Sequence, residues 1–316
     1  MPSSPHRNPT PILCFLLAFS TALLLPRAAS PQSPPSPATD AAALVRRAVT
    51  NRLTAEAAHH PQRFLLHKKD DRRDYTQDII ETAQGDVALA IAANGAPLSS
   101  ALRQTQLDRL TNLDTHPDLQ EHRRRREAED DARADKLLRM LPDAFLYHDE
   151  GILPCNVTAV PSVPIPGSLQ LPSSPNPVPP PSATCYHLTF RPNPAWNPPD
   201  VESRILRGMA GDVLIETSHE RLTRLNARLV SDVDFGWGII GHLDKGGTIF
   251  LEQSEVAPND WQLTRMKLNL TGKAFMLKAL SYHITEEMAH YSPVPPNLDY
   301  HQAIQMLESG PPGNIP

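Results

Sequence analysis

The sequence predicts an α+β protein: one antiparallel β-sheet of about ten to eleven strands, curved into an unclosed barrel and covered by helices. Most segments with a two-residue period follow one another without an intervening helix. The clearest of them places its apolar side chains on one dry face: Leu225, Ala227, Leu229, Val233 and Phe235. Two segments with helical spacing, 40–60 and 98–113, carry leucine stripes suited to covering that face.

The first thirty residues have the pattern of a removable signal peptide. Arg7 and Arg27 flank the apolar run Ile12–Leu25, and small residues follow at Ala28–Ser30. This run is shorter than the about 20 residues that span a bilayer. We therefore predict cleavage near residues 29–32, export to the periplasm or the medium, and a mature chain without a transmembrane segment.

The rest of the chain divides by composition. Residues 31–39 are rich in proline and form a predicted linker. A single domain is expected over 40–300, with a charged helical insertion at 98–142 and a Pro-rich loop at 151–184. Residues 301–316 are expected to contain the end of a short helix and a loose tail.

The predicted strands are short to medium in length, and Gly- or Asn-containing turns separate several of them. They are Phe64–Leu66, Tyr75–Thr82, Asp86–Ala92, Phe145–Tyr147, Tyr186–Phe190, Arg204–Met209, Asp212–Thr217, Arg221–Asp234, Thr248–Glu255, Trp261–Leu270 and Ala274–Glu287. A short helix is expected near Leu298–Leu307.

The charge of the chain argues against nucleic acid as a partner. The full sequence has a net charge of −5, and removing residues 1–30 takes away two arginines and leaves −7. Phosphate binding requires a basic field. The arginine run 123–126 lies in a segment that also carries many acids, with Arg123/Glu127, Arg125/Glu129 and Arg126/Asp130 at helical spacing. These pairs favour a solvated, self-paired helix over 117–142.

The mature chain has two cysteines, Cys155 and Cys185, one on each side of the Pro-rich loop. Two cysteines in an exported protein usually form a disulfide, which predicts a bond between the ends of two neighbouring strands. A pair of free thiols is the alternative.

Sequence motifs of catalysis, cofactor binding and metal binding are missing. The glycines at 236–247 do not form a phosphate loop, and neither His-Glu-x-x-His, Cys-x-x-Cys nor Gly-x-Ser-x-Gly occurs. The acids Glu286 and Glu287 point to opposite faces of a predicted strand, so they cannot act jointly. We therefore predict a protein that is not an enzyme and has no catalytic residues, no cofactor and no metal site.

The block Tyr186–Pro295 resembles a known superfamily. Its most recognisable phrases are Gly211–Glu216, Arg221–Leu225 and Asp232–Gly236, together with Lys245–Gly247. This block is similar to uncharacterised secreted bacterial proteins related to the LolA-like lipoprotein carriers. The resemblance implies an unclosed barrel of about eleven strands, with helices over an apolar concave side that binds an acyl chain.

Two functions follow as expectations. The first is a periplasmic protein that binds lipid or lipoprotein through its apolar concave face. The residues predicted to line this face are Leu225, Ala227, Leu229, Val233, Phe235, Tyr186, Leu188 and Phe190. The second is an envelope interaction, assembly or sensor protein without a small ligand. The oligomeric state is left open.

Overall fold

The structure is a computed structural model that describes residues 38–57, 59–155, 183–235, 241–257, 260–274 and 278–310. The predicted signal peptide, nearly all of the Pro-rich linker, most of the Pro-rich loop and the end of the tail lie outside the described residues. Within them, no helix combines the length and the apolar character needed to cross a membrane.

Four α-helices, one 3-10 helix and thirteen strands make up the described part of the chain. In chain order they are α1 (Ala38–Ala57), β1 (Gln62–Lys69), β2 (Asp74–Ile80), β3 (Val87–Ala93), β4 (Ala96–Pro97), α2 (Ser100–Thr115), α3 (Pro117–Ala144), β5 (Phe145–Pro154), β6 (Thr184–Pro192), the 3-10 helix (Glu202–Gly208), β7 (Met209–Glu216), β8 (Arg221–Leu229), β9 (Val233–Phe235), β10 (Gly241–Leu243), β11 (Thr248–Ala257), β12 (Asp260–Ala274), β13 (Lys278–Pro293) and α4 (Tyr300–Ser309).

All strands belong to one antiparallel sheet, which confirms the predicted fold class. The strand order is β4-β3-β2-β1-β13-β12-β11-β8-β7-β6-β5, and the pair β9–β10 joins the sheet through β12. β4 and β5 are the two ends of this order, so the sheet is not closed into a barrel. β1 pairs with β13 although more than 200 residues separate them along the chain.

The helices cover opposite faces at opposite ends of the sheet. We call the two surfaces the α1 face and the α4 face. Directly paired residues share a face, and on the α1 face this row runs through Leu225, Leu251, Met266, Glu286 and Lys68. The α4 face lies on the other side and carries Ile80, Val87 and Leu89, which pack against α2 and α4.

The first cover, α1, packs on the α1 face because its apolar residues recur at helical spacing. Leu44, Val45, Ala48 and Val49 are buried in the large cluster beneath it. The end of α3 is the second element that covers this face. The prediction that the leucine stripe of 98–113 covers it is wrong. Leu110 and Leu113 of α2 pack with α4 on the other face.

The predicted disulfide between Cys155 and Cys185 is confirmed, with a Cα–Cα distance of 5.1 Å. It joins the ends of the paired strands β5 and β6, beside the Pro154–Thr184 pair. In the chain-entropy model, closing a loop of about 30 residues stabilises the fold by about 3.6 kcal/mol.

Two local predictions are corrected. Arg204–Met209 does not form a strand, because residues 202–208 are a 3-10 helix. The Asp200 carboxylate accepts a hydrogen bond from the Ser203 amide at 2.9 Å, which starts this turn. The charged helix α3 is not merely a solvated helix, because Gln120 and Asp130 are buried. The Arg123 guanidinium donates to the Asp86 carbonyl at 2.7 Å, which attaches α3 to the β2–β3 turn.

Candidate functional site

All eight residues predicted to line an apolar site lie together on the α1 face. Seven of them are between 0% and 9% exposed, and Tyr186 is partly buried against the same cluster. They come from three strands: β6 supplies Tyr186, Leu188 and Phe190, β8 supplies the Leu225–Leu229 row, and β9 supplies Val233 and Phe235. The alternation along each strand therefore identified one continuous apolar surface.

This surface is packed against helices. α1 contributes Leu44 and Val45, and the end of α3 contributes Leu141 and Ala144 to the same cluster. The Tyr147 hydroxyl, buried beside them, donates to the Leu141 carbonyl at 2.9 Å. A ligand reaches the eight residues only after a covering helix moves, and α1 covers more of them than the end of α3 does.

The contacts at the margin of α1 are polar. Arg47 forms a bidentate pair with Glu220 at 2.8 and 2.9 Å, and Arg46 contacts Asp143 at 2.6 Å. Both arginine side chains are 56% exposed, so each pair contributes about 0–1 kcal/mol. The Asn51 amide donates to the His219 carbonyl and the Asn51 carbonyl accepts from Arg221.

A shallow groove of about 380 Å³ runs along this margin. It is lined by Ala43, Arg46, Arg47, Thr50, Asn51 and Glu220. The Arg47 guanidinium lowers the pKa of the Glu220 carboxyl through their hydrogen bonds. The groove marks the seam between α1 and the β7–β8 turn, and it does not reach the apolar residues.

The chain just after α1 is attached by a polar network. His59 Nε2 lies 2.7 Å from Glu81 Oε2 at the end of β2, and Gln262 Nε2 lies 3.1 Å from His59 Nδ1. Asp260 accepts hydrogen bonds from Gln62 and Gln262 at 2.8 and 2.6 Å. The hydrogen bond that His59 donates to the Glu81 carboxylate raises the pKa of His59, against the opposing effect of burial.

One group has the composition of a catalytic triad but not its geometry. Ser281 and Asp71 both contact the same ring nitrogen of His283, Nδ1, at 3.1 and 3.0 Å. A triad needs its acid on one nitrogen and its nucleophile on the other. The pair His283–Asp71 is also about half exposed on an open sheet surface. No sequence pattern predicts this group, because 210 residues separate Asp71 from Ser281.

The acids Glu286 and Glu287 diverge as the strand period predicts. Glu286 contacts Lys68 at 2.5 Å on the α1 face, and Glu287 contacts Arg265 at 3.3 Å on the other. Arg265 also contacts Glu252, which Arg224 holds from the opposite side. These carboxylates are therefore partners of cations in the sheet. Across the described ranges, no three His, Cys, Asp or Glu side chains are grouped so that they could hold a metal ion.

Comparison with known proteins does not extend this description: no protein-family model, no curated protein and no solved structure matches the chain. The similarity to LolA-like carriers therefore remains a prediction from the sequence of the Tyr186–Pro295 block. Function has to be argued from the apolar cluster and from the contacts that hold α1 over it.

Proposed function

We propose that the mature protein is an exported, non-catalytic binding protein that accommodates the acyl chain of a lipid or lipoprotein between α1 and the α1 face. One observation carries the proposal: a continuous apolar surface from β6, β8 and β9 lies under a helix whose margins are held by exposed ion pairs. A ligand that replaces the apolar side of α1 keeps this surface away from water.

The energies of the exchange are compatible with binding. Moving α1 gives up its exposed ion pairs and the burial of its apolar residues, and each CH₂ group of an acyl chain buried in their place returns about 0.8 kcal/mol. A long chain therefore offsets both losses. The apolar residues that α1 presents are leucine, valine and alanine, whose contacts an alkyl chain reproduces without specific geometry. The polar margin keeps the helix oriented when no ligand is bound.

The second candidate function is an envelope interaction, assembly or sensor protein without a small ligand. The observation that favours it is the packing of the cluster, in which Leu188, Ile215 and Leu229 are at most 1% exposed. In this alternative α1 stays on the sheet and the outer surfaces of the molecule bind another protein. Large apolar side chains among the described residues that are exposed include Leu102, Leu119 and Ile152.

The two functions are separated by binding of a fluorescent fatty acid to the mature chain, with and without a bridge that fixes α1. In the bridged variant Arg47→Cys and Glu220→Cys are joined by a short bismaleimide, since the two side chains are in contact across the seam. The control carries Arg47→Cys alone and receives the same reagent.

We expect the unmodified protein and the single-cysteine control to bind the fatty acid, and the bridged variant to lose at least about tenfold in affinity, or about 1.4 kcal/mol. Mass spectrometry of lipids extracted from natively purified protein identifies the natural ligand. Failure of the unmodified protein to bind, or equal binding by the bridged variant, contradicts the proposed function.

A further inference from the structure

Carboxylates are concentrated where three elements meet, and we call this region the acidic junction. It consists of Glu81 and Asp86 at the β2–β3 turn, Glu127 and Asp131 on α3, and His59 just after α1. The elements are in direct contact: the Asp86 amide donates to Glu127 Oε2 at 3.0 Å, and His59 contacts Glu81. The turn fits closely, since a Cβ on Gly85 would lie 2.7 Å from Glu127 Oε2.

The charges facing the junction are unbalanced. Charged and titratable groups from the neighbouring elements surround it. They are Arg52 and Glu56 of α1, His59, Glu81 and Asp86 of the turn, Arg109 of α2, Arg123, Glu127, Asp130, Asp131 and Asp135 of α3, Arg221 of β8, Asp260 of β12 and Tyr291 of β13. Arg133 is paired with Asp130 at 2.9 Å. The carboxylates outnumber the guanidinium groups, so His59 and bound protons reduce the excess negative charge.

We propose that the acidic junction is a pH-sensitive clamp, which holds the end of α1 and the middle of α3 against the β2–β3 turn in mildly acidic solution and loosens as the pH rises. The inference rests on the contacts of the junction and does not depend on the proposed ligand.

Four groups of the junction act in the same direction. Burial and neighbouring carboxylates raise the pKa of Asp86, burial raises the pKa of Glu127, and burial together with Asp130 raises the pKa of Asp131. The hydrogen bond that His59 donates to Glu81 raises the pKa of His59. A group with a raised pKa binds its proton more tightly in the docked form, so it favours that form in acid and this contribution is lost as the pH increases.

At the margin of α1 the pKa of Glu220 is shifted in the opposite direction, so the Arg47–Glu220 contact responds to a different pH range. Arg47 lowers the pKa of Glu220, so that contact is lost only when the pH falls below the ordinary carboxyl range of about 4. The clamp is therefore expected to be tightest in mildly acidic solution and to weaken as the pH rises above the ordinary histidine pKa of about 6.5.

Hydrogen exchange of the mature chain, without ligand, tests the clamp. Exchange of α1 and of residues 59–62 is compared at pH 5.5 and pH 8.0 after correction for the intrinsic pH dependence of exchange, and α4 is the internal reference. We expect α1 to open about tenfold more often at pH 8.0 than at pH 5.5 relative to α4, because the junction groups whose pKa is raised lose their protons as the pH increases.

Two variants of α3 identify the groups responsible. Glu127→Gln removes a junction carboxylate and should reduce the pH dependence at least threefold. Glu121→Gln removes a carboxylate of the same helix that is 59% exposed and pairs with Arg124, and it should leave the pH dependence unchanged. If Glu127→Gln does not fold, Asp131→Asn provides the same test at a more exposed position. Equal opening of α1 at the two pH values, or identical behaviour of junction and control variants, overturns the proposal.

Discussion

α1 and α4 cover opposite faces of one sheet and are held there in different ways. α4 starts with a capping box, in which Asp299 accepts from the Gln302 amide at 2.8 Å and Gln302 accepts from the Asp299 amide at 3.1 Å. Its residues Tyr300, Ile304 and Leu307 are buried. α1 has an equally buried apolar stripe, but exposed ion pairs and the acidic junction border it.

The difference suggests separate tasks for the two covers. The α4 face is sealed by apolar contacts, since Leu110 and Leu113 of α2 close the side of α4. The polar contacts of α1 can be exchanged for water at little cost, whereas buried apolar contacts cannot. Both helices bury apolar residues, so the difference lies at their margins, which exposed ion pairs hold at α1 and a capping box holds at α4. We therefore expect α1 to open locally before α4, and α4 to unfold only with the whole domain.

The largest expected effect comes from truncating one buried leucine under each cover. Leu307→Ala in α4 should lower the free energy of unfolding by about 2–5 kcal/mol, because it leaves a cavity in a permanent core. Leu44→Ala in α1 removes the same side chain, but it should act mainly by increasing local opening of α1. Urea unfolding measures the first effect and hydrogen exchange of each helix measures the second.

The matched pair decides whether the two covers differ. If Leu44→Ala lowers global stability as much as Leu307→Ala and leaves α1 exchange tied to global unfolding, α1 is as permanent as α4. That outcome would also weaken the proposal that a ligand replaces α1.

An effect of intermediate size is expected at the capping box of α4. Asp299→Ala leaves the Gln302 amide without its capping carboxylate and should cost about 1 kcal/mol. The control is Ser99→Ala at the start of α2, where the capping distance to the Leu102 amide is longer, 3.3 Å. Denaturant unfolding of both variants should show the larger loss for Asp299→Ala; an equal or reversed order would mean that the cap does not fix α4.

The sequence could predict what depends on local periodicity. Alternation along residues 221–235 identified the buried row of the sheet, and the positions of Cys155 and Cys185 identified the disulfide. The strand period also separated Glu286 from Glu287. Each of these inferences uses neighbours in the chain, for which the geometry of a strand fixes which side chains share a face.

The rest depended on contacts between distant segments. The leucine stripe of α2 predicts that this helix packs on an apolar surface, but it cannot specify which surface. In the structure α4 and β3 supply that surface. The sequence predicts that Gln120 and Asp130 belong to a solvated helix, but both are buried. Gln120 contacts the β2–β3 turn, which lies more than 30 residues away along the chain. The acidic junction could not be predicted for the same reason. Its carboxylates are far apart along the chain, and each has the sequence surroundings of an ordinary surface charge.

The smallest expected effect is at the seam between α1 and the β7–β8 turn. A double-mutant cycle of Arg47→Gln and Glu220→Gln should give a coupling of about 0.2–1 kcal/mol, since the pair is bidentate but exposed.

The Arg47–Glu220 pair tests the difference between α1 and α4 most directly, because its removal should change hydrogen exchange in one helix and not in the other. Removing it should increase hydrogen exchange of α1 while leaving α4 unchanged, since only the docked position of α1 depends on the pair. The coupling should decrease as salt is raised, because the Debye length falls from about 8 Å at physiological ionic strength to about 3 Å at 1 M, close to the separation of this exposed pair. Arg46→Gln, whose partner Asp143 is 64% exposed and bound through a single hydrogen bond, is the matched control and should change α1 exchange less. A coupling of zero at low salt in the exchange of α1 would mean that apolar packing alone holds this helix on the sheet.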